Sequence, residues 1–385
     1  MATRILETRI YRTRRVEPCR RKVEALFAKA GIKVDGERPW DLKVHDVRFF
    51  PHLLAQGSLG LGDSYMDGWW DCDDLVEFIK RLLLARLHQA VRTTGDLLMV
   101  LRAKLINLQS LRRASEVGEA HYDIGNDLYA RMLDRRMIYS CGYWAEADDL
   151  DAAQQAKLDL IFRKLGLEPG MRVLDIGCGW GGAAQYAAER YGVTVVGVTV
   201  SREQAQLAAE RCRGLPVEIL LQDYREVAGR FDRIYSIGMF EHVGFKNYQE
   251  YFAVARRLLG DDGLFVLHTI GGNQPTVQCD RWIARRIFPN SMLPAPSQLT
   301  AACETRFVIE DWHNFGVDYE RTLVEWERRF EAAWPDLADR YDERFRRMWR
   351  YYLLSCAGAF RARDLQLWQL VLAPGGVRGG YRAPR

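Results

Sequence analysis

Apolar positions along this chain change their spacing from one region to the next. Val23, Leu26 and Phe27 recur at helical intervals and predict a helix from Lys22 that closes near Gly31. Residues Ile32 to Phe50 read as a short β-like region. The following stretch, Leu59 to Trp70, holds too many glycines and aromatics for one regular element. Helical spacing returns in Leu75, Val76, Ile79, Leu82, Leu83 and Leu87, then in Leu97, Leu98, Leu101, Leu105 and Leu108, with Gly95 as an interruption. Beyond residue 150 the pattern alternates. A helix over 151–167 ends at Pro169-Gly170, and strands at Met171–Ile176, Val193–Val200, Val217–Leu221, Arg233–Ile237 and Leu264–Ile270 are separated by helices at Glu203–Cys212 and Asn247–Leu259. Such alternation predicts a parallel sheet with helices on both faces, an α/β class. The chain divides accordingly into a small α+β domain over 1–85, a basic helical linker over 86–115 and a larger domain over 116–385. With 385 residues, 48% of them apolar, it has ample core for two domains.

The first strand of the larger domain runs into Val173-Leu174-Asp175-Ile176-Gly177-Cys178-Gly179-Trp180-Gly181-Gly182. A strand, a glycine turn and a helix start let backbone approach a ligand closely and aim free N–H groups at it. Gly177, Gly179 and Gly182 also satisfy a dinucleotide fingerprint, which expects an acid at the end of the next strand. That strand ends in Thr199 and Ser201, which argues against NAD. Asp175, inside the strand, reads as fixing the glycine loop.

Ligands in such sheets bind at the carboxyl ends of the strands. Those ends carry Gly177 and Gly179, Thr199, Gln222 and Asp223, Glu241 and His242, and His268. Gln222 and Asp223 suit the amino edge of an adenine. Glu241 and His268 place a carboxylate and an imidazole on the ligand side, a pairing that points to chemistry. The clusters His121–Tyr129 and Tyr139–Trp144, just ahead of the sheet, read either as a lid that closes over the ligand or as an aromatic N-terminal helix docked on the sheet.

Charge and composition narrow the class. The formal net charge of +4 is mild and makes no case for nucleic acid. Eight cysteines without paired CxxC spacing, and no apolar leader, suggest a reducing, cytosolic setting and no metal site. No apolar run reaches the roughly 18–20 residues of a membrane span. The arginine-rich residues 1–22 read as a solvated tail.

The motifs HYDIGNDLY, YSCGYW, VLDIGCGWGG, VVGVTVSREQ, LLQDY, MFEHVG, LHTIGG, EDWHNFGVDY and CAGAFRARDLQLWQ together resemble the bacterial cyclopropane-fatty-acyl-phospholipid synthases. GSLGLGDSYMDGWWDCDDL extends the likeness to the N-terminal part, so that it covers about residues 22–372; the mycolic acid cyclopropane synthases share only the catalytic half. The resemblance implies a Rossmann-like class I methyltransferase fold with a helical insertion, behind a small lipid-associated N-terminal domain. It implies S-adenosylmethionine as methyl donor, held by Tyr139, Ser140, Asp175, Gly177, Gly179, Gly181, Thr199, Gln204, Gln222 and Asp223. It also implies a bicarbonate ion at Cys141, Glu241, His268, Ile270 and Tyr319, with Cys356 as a further catalytic candidate. Gly142 stands where the family pattern suggests alanine. The substrate implied is a phospholipid bilayer with unsaturated acyl chains, reached by a homodimeric cytoplasmic enzyme at the periphery of the inner membrane.

An apolar insertion over 277–299, with Trp282, Ile283, Ile287, Phe288, Met292 and Leu293, suits covering an acyl chain. Two other readings stand beside this one. A small-molecule or nucleic-acid methyltransferase on the same fold would leave an intact methyl on its product. An inert lipid-surface binding protein would not need Gly177, Gly179, Glu241 and His268.

Overall fold

The computed structural model describes residues 16–87, 107, 109 and 125–385. Most of the basic stretch beyond residue 87, the tail ahead of residue 16 and His121 to Ile124 lie outside the described residues. In chain order the elements are α1 (16–28), β1 (Lys43–Val44), α2 (Phe49–Gln56), α3 (Ser58–Met66), β2 (Trp70–Asp71), α4 (Leu75–Leu84) and α5 (Asn126–Met132). Next come α6 (Leu150–Leu165), β3 (Arg172–Ile176), α7 (Gly182–Tyr191), β4 (Thr194–Thr199), α8 (Arg202–Arg211), β5 (Val217–Leu221) and β6 (Phe231–Ile237). The chain ends with α9 (Tyr248–Leu258), β7 (Leu259–Gly272), α10 (Arg281–Arg286), α11 (Pro296–Cys303), β8 (Val308–Asn314), α12 (Val317–Leu337), α13 (Glu343–Arg361) and β9 (Leu365–Ala373).

Two compact units form, and neither is continuous in sequence. Among the described residues the first takes 16–87 together with 280–287 and 334–364; the second holds 107, 109, 125–279, 288–333 and 365–385. This differs from the expected division at residues 85 and 115, because α10 and α13 return to pack on the N-terminal helices. In the first unit Trp282 lies 4.7 Å from the Tyr351 ring, Arg286 forks both oxygens of Asp63, and Arg347 donates to Asp71.

Two short elements here depart from the sequence expectation. Only Lys43–Val44 of the β-like region is strand, paired antiparallel with Trp70–Asp71. The glycine-rich stretch Leu59–Trp70 is, as expected, not one regular element, since α3 ends at Met66 and the chain turns into β2. What departs is that its first part is helical, its glycines being contact positions: a Cβ at Gly62 would sit 2.3 Å from the Trp282 indole, and one at Gly60 2.6 Å from the His52 carbonyl.

The second unit is built on a seven-stranded sheet of order β5-β4-β3-β6-β7-β9-β8. Strands β5 to β7 are parallel, as alternation requires, but β9 and β8 run antiparallel to their neighbours, which corrects the all-parallel expectation. The two-residue period of each strand sends neighbours to opposite faces. Leu174, Ile176, Phe265 and Leu267 enter one core with α9, whereas Val173, Leu264 and Val266 enter the other with α6 and α7. Among the described residues no helix is long and apolar enough to cross a membrane.

Candidate active site

The glycine loop is tied down by the neighbouring strand. Val198 O accepts the N–H groups of Gly177 and Cys178 at 3.0 and 2.9 Å. Gly177, Gly179 and Gly181 all adopt positive φ, of 86°, 53° and 79°. A Cβ at Gly177 would meet Met239 at 2.6 Å and one at Gly181 would meet Ala208 at 2.9 Å, so both are needed for packing. At Gly179 a Cβ would meet nothing within 4 Å, because this glycine faces a cavity.

That cavity, of about 190 Å³, opens at the carboxyl ends of β3, β4, β5 and β6 and is lined by Tyr139, Ser140, Asp175, Gly177, Gly179, Thr199, Gln204, Gln222 and Asp223. Nine of the ten residues expected around the methyl donor therefore share one space. Gly181 does not line it; it caps the N-terminus of α7. Thr199 donates to Gln204 Oε1 at 2.9 Å, and the Ser201 side chain caps α8 by accepting from the Gln204 amide. Asp223 is gripped by Arg225, whose Nε and second guanidinium nitrogen donate to its two oxygens at 2.8 Å each. Asp175, expected to fix the glycine loop, makes no hydrogen bond to that loop among the described residues. The loop hangs from Val198, and Asp175 is buried on the cavity wall, where desolvation pushes its carboxyl up to about 7 against the opposing effect of the neighbouring Tyr235 hydroxyl, which lies outside strict hydrogen-bond geometry to Oδ2.

An aromatic row extends from the loop. Trp180, Tyr129, Tyr139, Trp326 and Tyr319 follow one another with ring centroids 4.8, 5.2, 5.1 and 6.0 Å apart. Tyr319 thus connects to Tyr139 through Trp326.

Glu241 and His268 lie one strand apart. Glu241 sits in a short turn just after β6, and His268 lies inside the long strand β7, in register with Ile237 on one side and Gln369 on the other. Glu241 Oε1 accepts the Ile270 amide at 2.7 Å, while Oε2 is buried without a partner. Burial pushes this carboxyl up to about 7, although the Ile270 hydrogen bond works the other way. His268 is fully buried, which holds it neutral, and Lys157 and Lys164 add to that effect. Gln369 Nε2 donates to its Nδ1 at 3.2 Å, so Nε2 carries the hydrogen, and it too has no partner.

Cys141 belongs to a segment held by α12: Thr322 Oγ1 accepts from the Gly142 amide at 3.1 Å and from the Trp144 indole at 2.9 Å, and Asp318 accepts from the Trp144 amide. Its thiol donates to Gly142 O, and complete burial pushes its pKa far up, so it stays protonated. Cys356 lies on α13 in the first unit. The insertion divides as well: 280–287 belong to the first unit, while Met292 in the second donates its amide to Glu241 O at 2.8 Å.

Sequence reasoning missed several groups here. Arg225 lines the cavity; His242, which the strand-end reading did name, lines it too with a buried, unpartnered Nδ1 and is held neutral by desolvation, its pKa lowered to about 4. Lys157 and Gln154 of α6 are buried behind Ser140. Their only signal in the sequence was polarity at positions 154, 157 and 164, on the apolar face that also carries Ile161.

The sequence profile of the family described as mycolic acid cyclopropane synthetase matches residues 109–370. The cyclopropane-fatty-acyl-phospholipid synthase of Escherichia coli strain K12 is 56% identical over 361 residues, 94% of this chain and 94% of that protein. Among solved structures, the cyclopropane synthase MmaA2 of Mycobacterium tuberculosis superimposes with a TM-score of 0.64 at 33% identity, covering 67% of this chain and 98% of its own. The mycolic acid cyclopropane synthase CmaA1, complexed with SAH and CTAB, gives 0.64 at 32% identity, covering 67% and 97%.

Proposed function

Because this chain belongs to the mycolic acid cyclopropane synthetase family, we propose that it transfers a methylene group from S-adenosylmethionine to the cis double bond of an unsaturated acyl chain in a membrane phospholipid. The observation that carries the substrate class is coverage: likeness to the phospholipid enzyme runs through 94% of the chain, N-terminal part included, against 67% for the two mycobacterial-type structures.

When bound, S-adenosylmethionine supplies an electrophilic methyl; the alkene electron pair forms the new C–C bond as the C–S bond breaks, leaving a carbocation on the other alkene carbon. Ring closure then needs a base for one proton of the transferred methyl, which a bicarbonate ion would supply. The residues present fit both groups. The open face of Gly179 and Asp175 Oδ2 offer close approach and an acceptor to the donor. Glu241 Oε2, an acceptor once the carboxyl is ionised above about pH 7, and the His268 Nε2–H are a buried acceptor and a buried donor without protein partners, the complement of an ion that has both a hydroxyl and an oxyanion. Ile270 contributes by its amide, which fixes the Glu241 carboxyl, and Tyr319 ends the aromatic row that starts at the glycine loop. Cys141 serves through its backbone, since its thiol is held protonated. Cys356 remains a further candidate for the catalytic set.

On this reading the protein works at the cytoplasmic face of the inner membrane as a homodimer, with 1–85 as the lipid-associated domain, in keeping with the resemblance that extends through the N-terminal part. The basic residues of 86–115 add about 1 kcal/mol each near an anionic surface. Residues 288–299 of the insertion then cover the acyl chain. Mass spectrometry of phospholipids from cells expressing this chain tests the reading. Monounsaturated species should each gain one methylene and lose one double bond; unchanged acyl chains with newly methylated headgroups would contradict it.

A further inference from the structure

The second unit buries a lysine that the chemistry above does not use. Lys157 is fully buried on α6, and its Nζ donates to Ser140 Oγ at 2.7 Å. One turn away on the same helix face, Gln154 donates to Ser140 O at 2.7 Å, so α6 holds both the hydroxyl and the carbonyl of one cavity-lining residue. Lys157 makes no ion pair with a carboxylate among the described residues. The nearby Asp134 accepts instead from the amides of Arg136 and Ile138. Taking an ammonium out of water without a paired carboxylate is strongly unfavourable, so its presence needs a reason.

The hydrogen-bond inventory supplies one. An ammonium has three donors and no acceptor, whereas a serine hydroxyl has one donor and two acceptor lone pairs. With Lys157 donating, the Ser140 hydrogen has no route back to the lysine. Ser140 is 4% exposed, lies on the cavity wall and abuts Gly238 at the carboxyl end of β6. The free direction for its hydrogen is the cavity.

We propose that Lys157 is a positioning residue for the methyl donor: by donating to Ser140 Oγ it commits the serine's own hydrogen to the cavity, to be donated to the donor's carboxylate. The inference rests on the reading of this cavity as the donor site. The polarised chain from Lys157 through Ser140 makes the hydroxyl a stronger donor to an anion than serine alone. Deprotonation undoes the arrangement, because a neutral amine can accept the serine hydrogen and withdraw it from the cavity. Desolvation brings Lys157 down to about 7, with Asp134 and then Cys141 opposing it, and its charge also bears on His268 across the same face of the sheet.

The test is calorimetric affinity for S-adenosylhomocysteine from pH 6 to pH 8 in wild type, Lys157→Met, Ser140→Ala and the double variant. Wild-type binding should be tightest at the acid end and weaken as the pH rises through 7. Lys157→Met should bind on the order of tenfold more weakly at pH 6 and lose that part of the pH dependence, and the double variant should be no weaker than either single one. Asp175 also titrates near 7, but it is present in every variant, so the difference between profiles isolates Lys157. A Lys157→Met profile that overlays wild type, or losses that add in the double variant, would overturn the proposal. If Lys157→Met does not fold, Ser140→Ala decides alone: a flattened profile supports the relay and the wild-type profile refutes it. A wild-type chain that does not bind the ligand would fail the donor-site reading itself, a distinct outcome that also removes the inference.

Discussion

The Ile270 amide donates to one oxygen of Glu241 at 2.7 Å and leaves the other oxygen buried with no partner. A carboxyl fixed on one side and unsatisfied on the other is an expensive thing to keep in a core, since an unpartnered buried acceptor costs about 1–3 kcal/mol. This one lies in the turn just after β6, next to His242 on the cavity wall, and the proposed bicarbonate is its ligand.

Glu241→Gln keeps an oxygen for the Ile270 amide and replaces the free acceptor with a donor. Turnover should fall by a factor on the order of 10²–10⁴, the range for losing positioned acid–base groups, with little change in S-adenosylhomocysteine affinity. Steady-state rates on unsaturated vesicles and calorimetry on the same preparation check this. Parallel losses in both would place Glu241 in donor binding instead.

The same substitution has a signature in stability. The unfolded carboxyl ionises near its ordinary 4.5, while burial keeps the native one protonated up to about 7. The native state is therefore favoured by this group at acid pH, and that advantage is lost as pH rises from 4.5 to 7. The gap corresponds to about 3 kcal/mol as an order of magnitude. Glu241→Gln should thus be more stable relative to wild type at pH 8 than at pH 5 in urea unfolding. A difference that does not vary with pH would contradict the assigned burial effect.

Gly179→Val puts a branched side chain into the donor cavity, at a backbone φ of 53°. Affinity for S-adenosylhomocysteine should drop by at least about tenfold from the steric insertion, while thermal unfolding stays cooperative. Undiminished binding in a folded variant would remove the loop from the site.

Gly62→Leu addresses the first unit. Its Cβ would sit 2.3 Å from the Trp282 indole, so overpacking should cost about 1–3 kcal/mol, read by denaturant unfolding. Unchanged stability would mean that α10 does not hold its place on α3.

The parallel part of the sheet, and Asp175, Gly177, Gly179, Thr199, Gln222 and Asp223 at its strand ends, were legible because strand–glycine–helix periodicity is a local signal; Tyr139, Ser140 and Gln204 came to the donor site only through the family resemblance. Other features were not local. β9 is a nearly continuous apolar run, Leu365 to Ala373, which by period alone reads as a strand or a helix, and β8 carries charged and polar residues along an edge. Helix α3 was hidden by glycines whose purpose lies in Trp282, more than two hundred positions away in the chain. Lys157 was invisible because a lysine within an amphipathic helix ordinarily reads as solvated, and its burial depends on Ser140 arriving from another segment.

The central claim is that the transferred methyl becomes a ring methylene. Supplying S-adenosylmethionine with a fully deuterated methyl group, together with monounsaturated phospholipid vesicles and bicarbonate, tests it directly by mass spectrometry of the product. The account predicts that each modified acyl chain retains all but one of the methyl deuteriums and has lost its double bond, the missing deuterium having gone to the base. A product that keeps the whole deuterated methyl, on the acyl chain or on the headgroup, would contradict it.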